Sequence, residues 1–326
     1  MKKINIFNLH NSHKFEKMAL EIFQFQAKNN LVYKEFLTHL HIDIQRIDKV
    51  EDIPFLPIQF FKSHKVVSTE ETVQRIFLSS GTTGNEQSKH FVSDLSIYEE
   101  SFTKGFEHFY GAIEDYTVLA LLPSYLERDG SSLIYMVNDF IQKSKKKKSG
   151  FYLNNFDELT KNLVDLDKNK EKVLLIGVSF ALLDLVEKHK FNLNNTIVME
   201  TGGMKGRRKE LIRSALHQIL REGFGVENIH SEYGMTELLS QAYSKGNGIF
   251  ECPPWMKILT RDTEDALTVL PEGKSGGINI IDLANVNSCS FIATQDLGKT
   301  HPNGTFEVIG RFDNSDIRGC NLMVMS

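Results

Sequence analysis

No stretch of this chain approaches the ~20 consecutive apolar residues a membrane-spanning helix requires. The opening residues, Met1-Lys2-Lys3-Ile4-Asn5, carry two lysines but no apolar run of signal-peptide length, so nothing in them directs export. Cysteine is scarce as well: Cys252, Cys289 and Cys320 are an odd number without C-x-x-C spacing, which argues against a disulfide framework and against a zinc site. A reducing, cytoplasmic setting is the expectation. Excess positive charge is also lacking; a formal charge of −4 opposes nucleic acid as a partner, because binding a phosphate backbone needs a basic face. The one basic run, Lys145 to Lys148, is short and adjoins neither a membrane span nor a lipidation signal, so it reads as a solvated loop. There is no internal repeat and no long low-complexity linker.

What remains is a chain of 326 residues with an ordinary 41% hydrophobic fraction, long enough for one large layered domain or two smaller ones. Residues 13–28 place Phe15, Met18, Ala19, Ile22, Phe23 and Phe25 close to helical spacing, and a second helix is expected over 31–39. These make a helical cap. Pro54 and Pro57 force extended backbone before them. Beyond them strands and helices alternate: a buried strand over 116–122, a helix over 131–142, a strand at 151–153, and a strand over 172–178 followed by an apolar helix to about Lys188. Next come a strand over 196–201 and an amphipathic helix over 207–222 with Arg207, Arg208 and Arg213 outward. That rhythm predicts an α/β fold with a mostly parallel sheet. After Gly246 short strands take over, at 248–252, 257–260, 267–270, 277–281, 290–294 and 305–309, predicting an antiparallel portion. The organisation expected is a helical cap over 1–50, an α/β part over 51–245, a β-rich part over 246–310 and a hinge-like tail over 311–326.

Ser79-Ser80-Gly81-Thr82-Thr83-Gly84 follows the apolar run Arg75-Ile76-Phe77-Leu78. Two glycines let the backbone turn its N–H groups inward and four hydroxyls add donors, a composition that can wrap a polyphosphate with dipoles. The kinase-type pattern fails, because Asn85 and Glu86 follow Gly84 and the nearest lysine is Lys89. An ordinary surface turn has the same composition. Further along come Gly202-Gly203-Met204-Lys205-Gly206, Ser231-Glu232-Tyr233-Gly234-Met235-Thr236-Glu237, Thr294-Gln295-Asp296-Leu297-Gly298, Gly310-Arg311-Phe312-Asp313 and Arg318-Gly319-Cys320.

In order and spacing these segments resemble the AMP-forming adenylating superfamily of acyl-CoA synthetases, luciferases and peptide-synthetase adenylation domains. Within it the chain is most similar to the LuxE-like acyl-protein synthetases of the bacterial luminescence fatty-acid reductase system. Residues 53–62, Leu122-Pro123-Ser124-Tyr125-Leu126-Glu127-Arg128 and 318–323 carry that narrower likeness. The resemblance runs from about residue 50 onward. It implies a large adenylating domain, ATP and Mg²⁺ as cofactors, a fatty acid as substrate, and an acyl reductase or acyl-carrier protein as partner.

It also implies a role for each segment. Ser79 to Gly84 would hold the departing pyrophosphate. Thr236 would bond the α-phosphate and Glu237 would hold Mg²⁺, a hard cation satisfied by one or two carboxylates plus phosphate. From the residues alone, Glu237 is equally a surface acid at a helix start. Tyr233 and Gly234, with Gly202 and Gly203, would border the adenine. Asp296 and Arg311 match ribose-contacting positions, and a salt bridge suits either equally well. Lys89 matches no assigned role. Cys320 matches the cysteine that receives the acyl chain; Arg318 nearby favours its thiolate and Gly319 permits approach, whereas a small buried hydrophobe is the plain alternative. Cys252 and Cys289 are expected to be structural.

Two departures stand out. Standard adenylating enzymes continue into a small C-terminal domain that supplies a lysine, and the sequence ends at Ser326, so a large domain without that lysine is expected. Charge on the α-phosphate would then be met by another cation, by Mg²⁺ or by a partner subunit. Gln295 stands where a glycine commonly precedes the ribose aspartate. Three activities stay open at this point: acyl transfer to Cys320, transfer to CoA or a carrier-protein thiol, and a non-catalytic nucleotide-binding subunit.

Overall fold

The computed structural model describes residues 6–9, 11–80, 86–122, 130–153, 155–202 and 211–311. In chain order these form α1 (Ser12–Asn29), α2 (Leu31–His39), β1 (Leu56–Pro57), α3 (Phe60–Ser63), β2 (Arg75–Leu78), β3 (Lys89–Val92) and α4 (Leu95–Tyr110). Next come β4 (Thr117–Leu121), α5 (Ser132–Ser144), β5 (Gly150–Phe151), α6 (Phe156–Lys168), β6 (Val173–Gly177), α7 (Ser179–Lys188), β7 (Thr196–Glu200) and α8 (Arg213–Phe224). The remainder is β8 (His230–Tyr233), β9 (Ala242–Ser244), β10 (Ile249–Glu251), β11 (Met256–Arg261), β12 (Ser275–Asp282), β13 (Phe291–Thr300) and β14 (Phe306–Arg311). They divide into two compact units, one of Arg75–Gln87 and Leu95–Pro253, the other of Met1–Gln74, Ser88–Asp94 and Pro254–Ser326.

In the first unit a sheet runs in the order β10-β9-β8-β7-β6-β4-β5. The strands from β8 to β5 are parallel, and β9 and β10 close the other side antiparallel. Every residue of β4 and β6 is buried, as expected of parallel strands covered on both faces. Local chemistry sets the helix starts: the Ser131 hydroxyl accepts from Ile134 N–H and Asn155 from Glu158 N–H, each satisfying a donor the first turn leaves free. β10 belongs to this sheet, so the change to short strands after Gly246 precedes the change of unit. α8 begins at Arg213, because Ile212 before it is extended (ψ 145°). Arg213 does not face solvent as the amphipathic pattern predicts; it turns inward to a buried carboxylate and lies over the Phe250 ring. Arg207 and Arg208 lie outside the described residues.

The second unit is an antiparallel meander, β11-β12-β13-β14, with β1 added parallel to the first half of β13. Residues 267–270 are not a strand. They make one bridge, Arg261 to Val269, while Asp262 and Asp265 accept hydrogen bonds from the backbone just after them and fold the segment into turns. The two N-terminal helices pack here. Gln26 donates to the carbonyls of Asn285 and Val286 and accepts from Ser290 N–H, so a fully buried amide is satisfied on both sides. Tyr33 stacks on Phe291 with ring centroids 6.3 Å apart and donates its hydroxyl to the Pro54 carbonyl at 2.6 Å. No helix among the described residues is long and apolar enough to cross a membrane.

Candidate active site

In parallel α/β sheets ligands bind beyond the carboxyl ends of the strands, and in the first unit Gly202 and the Tyr233–Glu237 segment follow two such ends. β7 and β8 are parallel, with Glu200 opposite Ser231 as their last paired residues. Gly202 and Tyr233 each follow that pair by two residues, so the segment expected at the adenine and the Tyr233–Glu237 turn leave neighbouring strand ends.

Gly202 adopts φ +71°, a left-handed conformation glycine takes without strain, and a side chain there would meet none of the described residues within 4 Å. Its own polar groups are occupied. Its N–H donates to Glu200 Oε2 at 2.7 Å, and its carbonyl accepts from the Ser179 N–H (2.8 Å) and hydroxyl (3.1 Å). The turn is therefore fixed from beneath.

Glu200 is the hub of that support. Buried among Ser179, His217 and Ser231, it lies 3.7 Å from Arg213 Nε and 3.5 Å from His217 Nε2. Burial alone would raise its carboxyl; the His217 bond, the Arg213 charge, Ser231 and the Gly202 N–H more than reverse this, bringing it down to about 2. Glu232, one strand over, is pushed the other way, up to about 8, by burial and then by the charge of Glu200. Two carboxyl groups thus hold opposite protonation states at neutral pH. Neither was singled out from the sequence, although an acid closing the apolar run Thr196-Ile197-Val198-Met199 is the signal that would have found Glu200.

Tyr233 is largely buried, its ring edge-on to Phe250 at 5.9 Å. Thr236 and Glu237 form the turn after Gly234, closed by the Leu238 N–H donating to the Met235 carbonyl at 3.1 Å. Glu237 is 5% exposed and sits in a turn, so the surface-acid alternative does not describe it. Ser79 and Ser80 follow β2. The Ser79 carbonyl accepts from the Gln87 side chain at 2.9 Å, joining the two flanks of the glycine-rich loop. Leu78 N–H donates to the Gly130 carbonyl at 2.8 Å, which ties that loop's stem to the exit of the 122–128 segment.

Asp296 and Arg311 belong to the second unit, where they are direct Cα partners between β13 and β14. Arg311 Nη2 donates to Gln295 Oε1 at 3.2 Å, so the residue that replaces the usual glycine has a partner. Lys89, also in this unit, is exposed at the start of β3. Gly81, Thr82, Thr83, Gly84, Gly203 and Cys320 lie outside the described residues. Cys289 is fully buried, its thiol pushed up to about 12 by burial, which leaves it inert.

Among the described residues no cluster of three His, Cys, Asp or Glu could by itself cage a metal. A single buried carboxylate such as Glu237 fits Mg²⁺ better than most ions, because Mg²⁺ is commonly held by one or two carboxylates and otherwise by phosphate and water.

Among solved structures the chain is similar to ATP-bound MatB from Rhodopseudomonas palustris, at 18% identity and a TM-score of 0.55 over 74% of this chain and 49% of that one. It is also similar to a 2-hydroxyisobutyryl-CoA ligase in complex with 2-HIB-AMP and CoA, at 12% identity and a TM-score of 0.67 over 93% of this chain and 70% of that one. The fold is the one these two ligases share. The profile of the acyl-protein synthetase family, LuxE, matches residues 5–105 and 136–326, and the chain belongs to that family. It spans about half the length of the MatB structures it matches. No curated protein sequence matches it significantly.

Proposed function

We propose that this protein activates a fatty acid with ATP and passes the acyl group to a cysteine thiol, Cys320, for handover to an acyl reductase or carrier protein. A free carboxylate has no usable leaving group. Its oxygen attacks the α-phosphorus of ATP, the bond to the bridging oxygen breaks, and pyrophosphate departs to leave an acyl-adenylate. The thiolate then attacks the acyl carbonyl carbon and AMP leaves with the bonding pair, giving the thioester.

In this reading Ser79 and Ser80, with Gly81 to Gly84, bind the leaving pyrophosphate. Thr236 orients the α-phosphate, Gly202, Gly203, Tyr233 and Gly234 border the adenine, and Asp296 and Arg311 hold the ribose. Glu237 would hold Mg²⁺, which supplies charge neutralisation on the phosphates. The observation that carries the reading is the meeting, at adjacent carboxyl strand ends of one unit, of Gly202 with the Tyr233–Glu237 turn. Family membership supports it.

The test is exchange of radiolabelled pyrophosphate into ATP with a panel of fatty acids, alone and with an acyl reductase, followed by acyl labelling of the protein. Cys320→Ser should retain exchange and lose hydroxylamine-labile label. Absence of exchange under every combination would remove the adenylation step and favour a nucleotide-binding subunit. Acyl-CoA formation independent of Cys320 would instead make CoA the acceptor, the ligand named in the 2-hydroxyisobutyryl-CoA ligase complex.

A further inference from the structure

β12 and β13 pair regularly from Ile281 opposite Phe291 to Asn279 opposite Ala293, then resume at Gly277 opposite Leu297. Between these points one residue, Ile278, faces three: Thr294, Gln295 and Asp296. The strand is bulged, and such irregularities re-aim side chains at the cost of ladder hydrogen bonds. Asp296 sits on the bulge.

The lost ladder is replaced by one side chain from a third strand. Arg261, at the end of β11 and opposite Gly277, is 7% exposed. Its Nη1 donates to the Ile278 carbonyl at 2.8 Å and to Asn279 Oδ1 at 2.9 Å, while Nη2 donates to the Thr294 carbonyl at 2.6 Å. One planar fork therefore bridges both strands at the gap, a geometry that arginine holds and lysine does not. The Thr294 hydroxyl completes the arrangement, donating to the Ile278 carbonyl at 2.9 Å and accepting from Asp296 N–H at 3.1 Å.

Room for the guanidinium comes from Gly277, where a Cβ would lie 2.6 Å from Arg261 Cζ and 2.9 Å from both terminal nitrogens. Burial pulls the guanidinium down to about 10, with the charge of Asp296 acting in the opposite sense, so it stays protonated at neutral pH. A buried cation is a poor way to gain stability, since apolar replacements of similar volume often do as well. Its fork and its carboxylate neighbour point to orientation.

We propose that Arg261 is a positioning residue for nucleotide binding: by bridging the Ile278 and Thr294 carbonyls it holds open the bulge that presents Asp296 to the ribose hydroxyls. The proposal rests on the reading of Asp296 as the ribose acceptor, and the experiment separates the two.

Binding of Mg-ATP, 2′-deoxy-ATP and 3′-deoxy-ATP to the full chain is measured by titration calorimetry, with a thermal melt of each variant. Wild type should prefer ATP over the deoxy analogues by roughly tenfold or more, the worth of hydrogen bonds to a charged acceptor. Asp296→Asn should abolish that preference. Arg261→Met should abolish it too, with affinity for the deoxy analogues nearly unchanged. If Arg261→Met does not fold, Gly277→Ala leaves the arginine in the chain but claims its space, and gives the same readout. Variants at 261 and 277 that melt early yet keep the preference would show Arg261 to be merely structural and overturn the proposal. A wild type without the preference, or an Asp296→Asn that retains it, would instead overturn the ribose reading, and the positioning role would fall with it.

Discussion

Replacing Glu200 by glutamine removes the charge on which Arg213, His217, Ser179 and the Gly202 turn converge while keeping the side chain's shape. Each pH unit of displacement is worth ~1.4 kcal/mol, so moving this carboxyl from its ordinary 4.5 to about 2 corresponds to about 3 kcal/mol of stability at neutral pH. A second route gives a similar figure. Breaking a buried ion pair costs roughly 3–5 kcal/mol, but glutamine still accepts from Gly202 N–H and the Arg213 side chain is 31% exposed and can be solvated, so about 2–3 kcal/mol is expected. The sign of the pH dependence follows from the downward displacement. A lowered acid stabilises fully above its unfolded pKa of 4.5 and the contribution fades as pH falls through about 2. Urea unfolding of both proteins, followed by circular dichroism, should show the full gap above pH ~5 and roughly half of it near pH 3. A difference under ~0.5 kcal/mol at neutral pH, the range of an ordinary surface substitution, or a gap indifferent to acid would refute the account of Glu200 as the anchor of this turn.

Glu232→Gln should act in the opposite sense. Because burial and Glu200 hold the Glu232 carboxyl up at about 8, this carboxyl costs wild type stability as pH rises from 4.5 through about 8, and the variant's advantage in melting temperature over wild type should widen across that window. Gly223→Ala in α8 is favoured by helix propensity by ~1 kcal/mol. Its Cβ, however, would lie 2.4 Å from the Cβ of Val186 on α7, whose branched side chain cannot swing away, so a net loss of about 1–3 kcal/mol is expected in a thermal melt.

Elements governed by local rules were legible in the sequence. α2 spans the predicted 31–39 because Asn30 caps it by accepting from Tyr33 N–H, and β4 and β6 are, Thr117 apart, free of polar side chains because both strands are buried along their whole length. Gly202 and the Tyr233–Glu237 turn could be read as segments because they fall within a few positions of strand ends. What escaped depends on distant partners. Arg213 looks like an outward helix residue until the carboxylate of Glu200 from another strand is set beside it, and residues 267–270 have strand composition but two aspartates that turn the backbone back on itself. Arg261 bonds a carbonyl 33 residues away, and no periodicity within β11 announces that reach.

The contact between Gln26 and Ser290 joins positions 264 residues apart, and it closes one side of a single packed unit. On a ribosome adding ~5–20 residues per second, α1 would wait roughly 13–50 s after its own emergence before the chain it rests on exists. Throughout that interval Phe15, Ala19, Ile22 and Phe23, which end up buried, have only α2 and the segment just after it to cover them. Early synthesis is therefore the period in which this polypeptide most needs a chaperone, and slowing translation should increase aggregation of the nascent product.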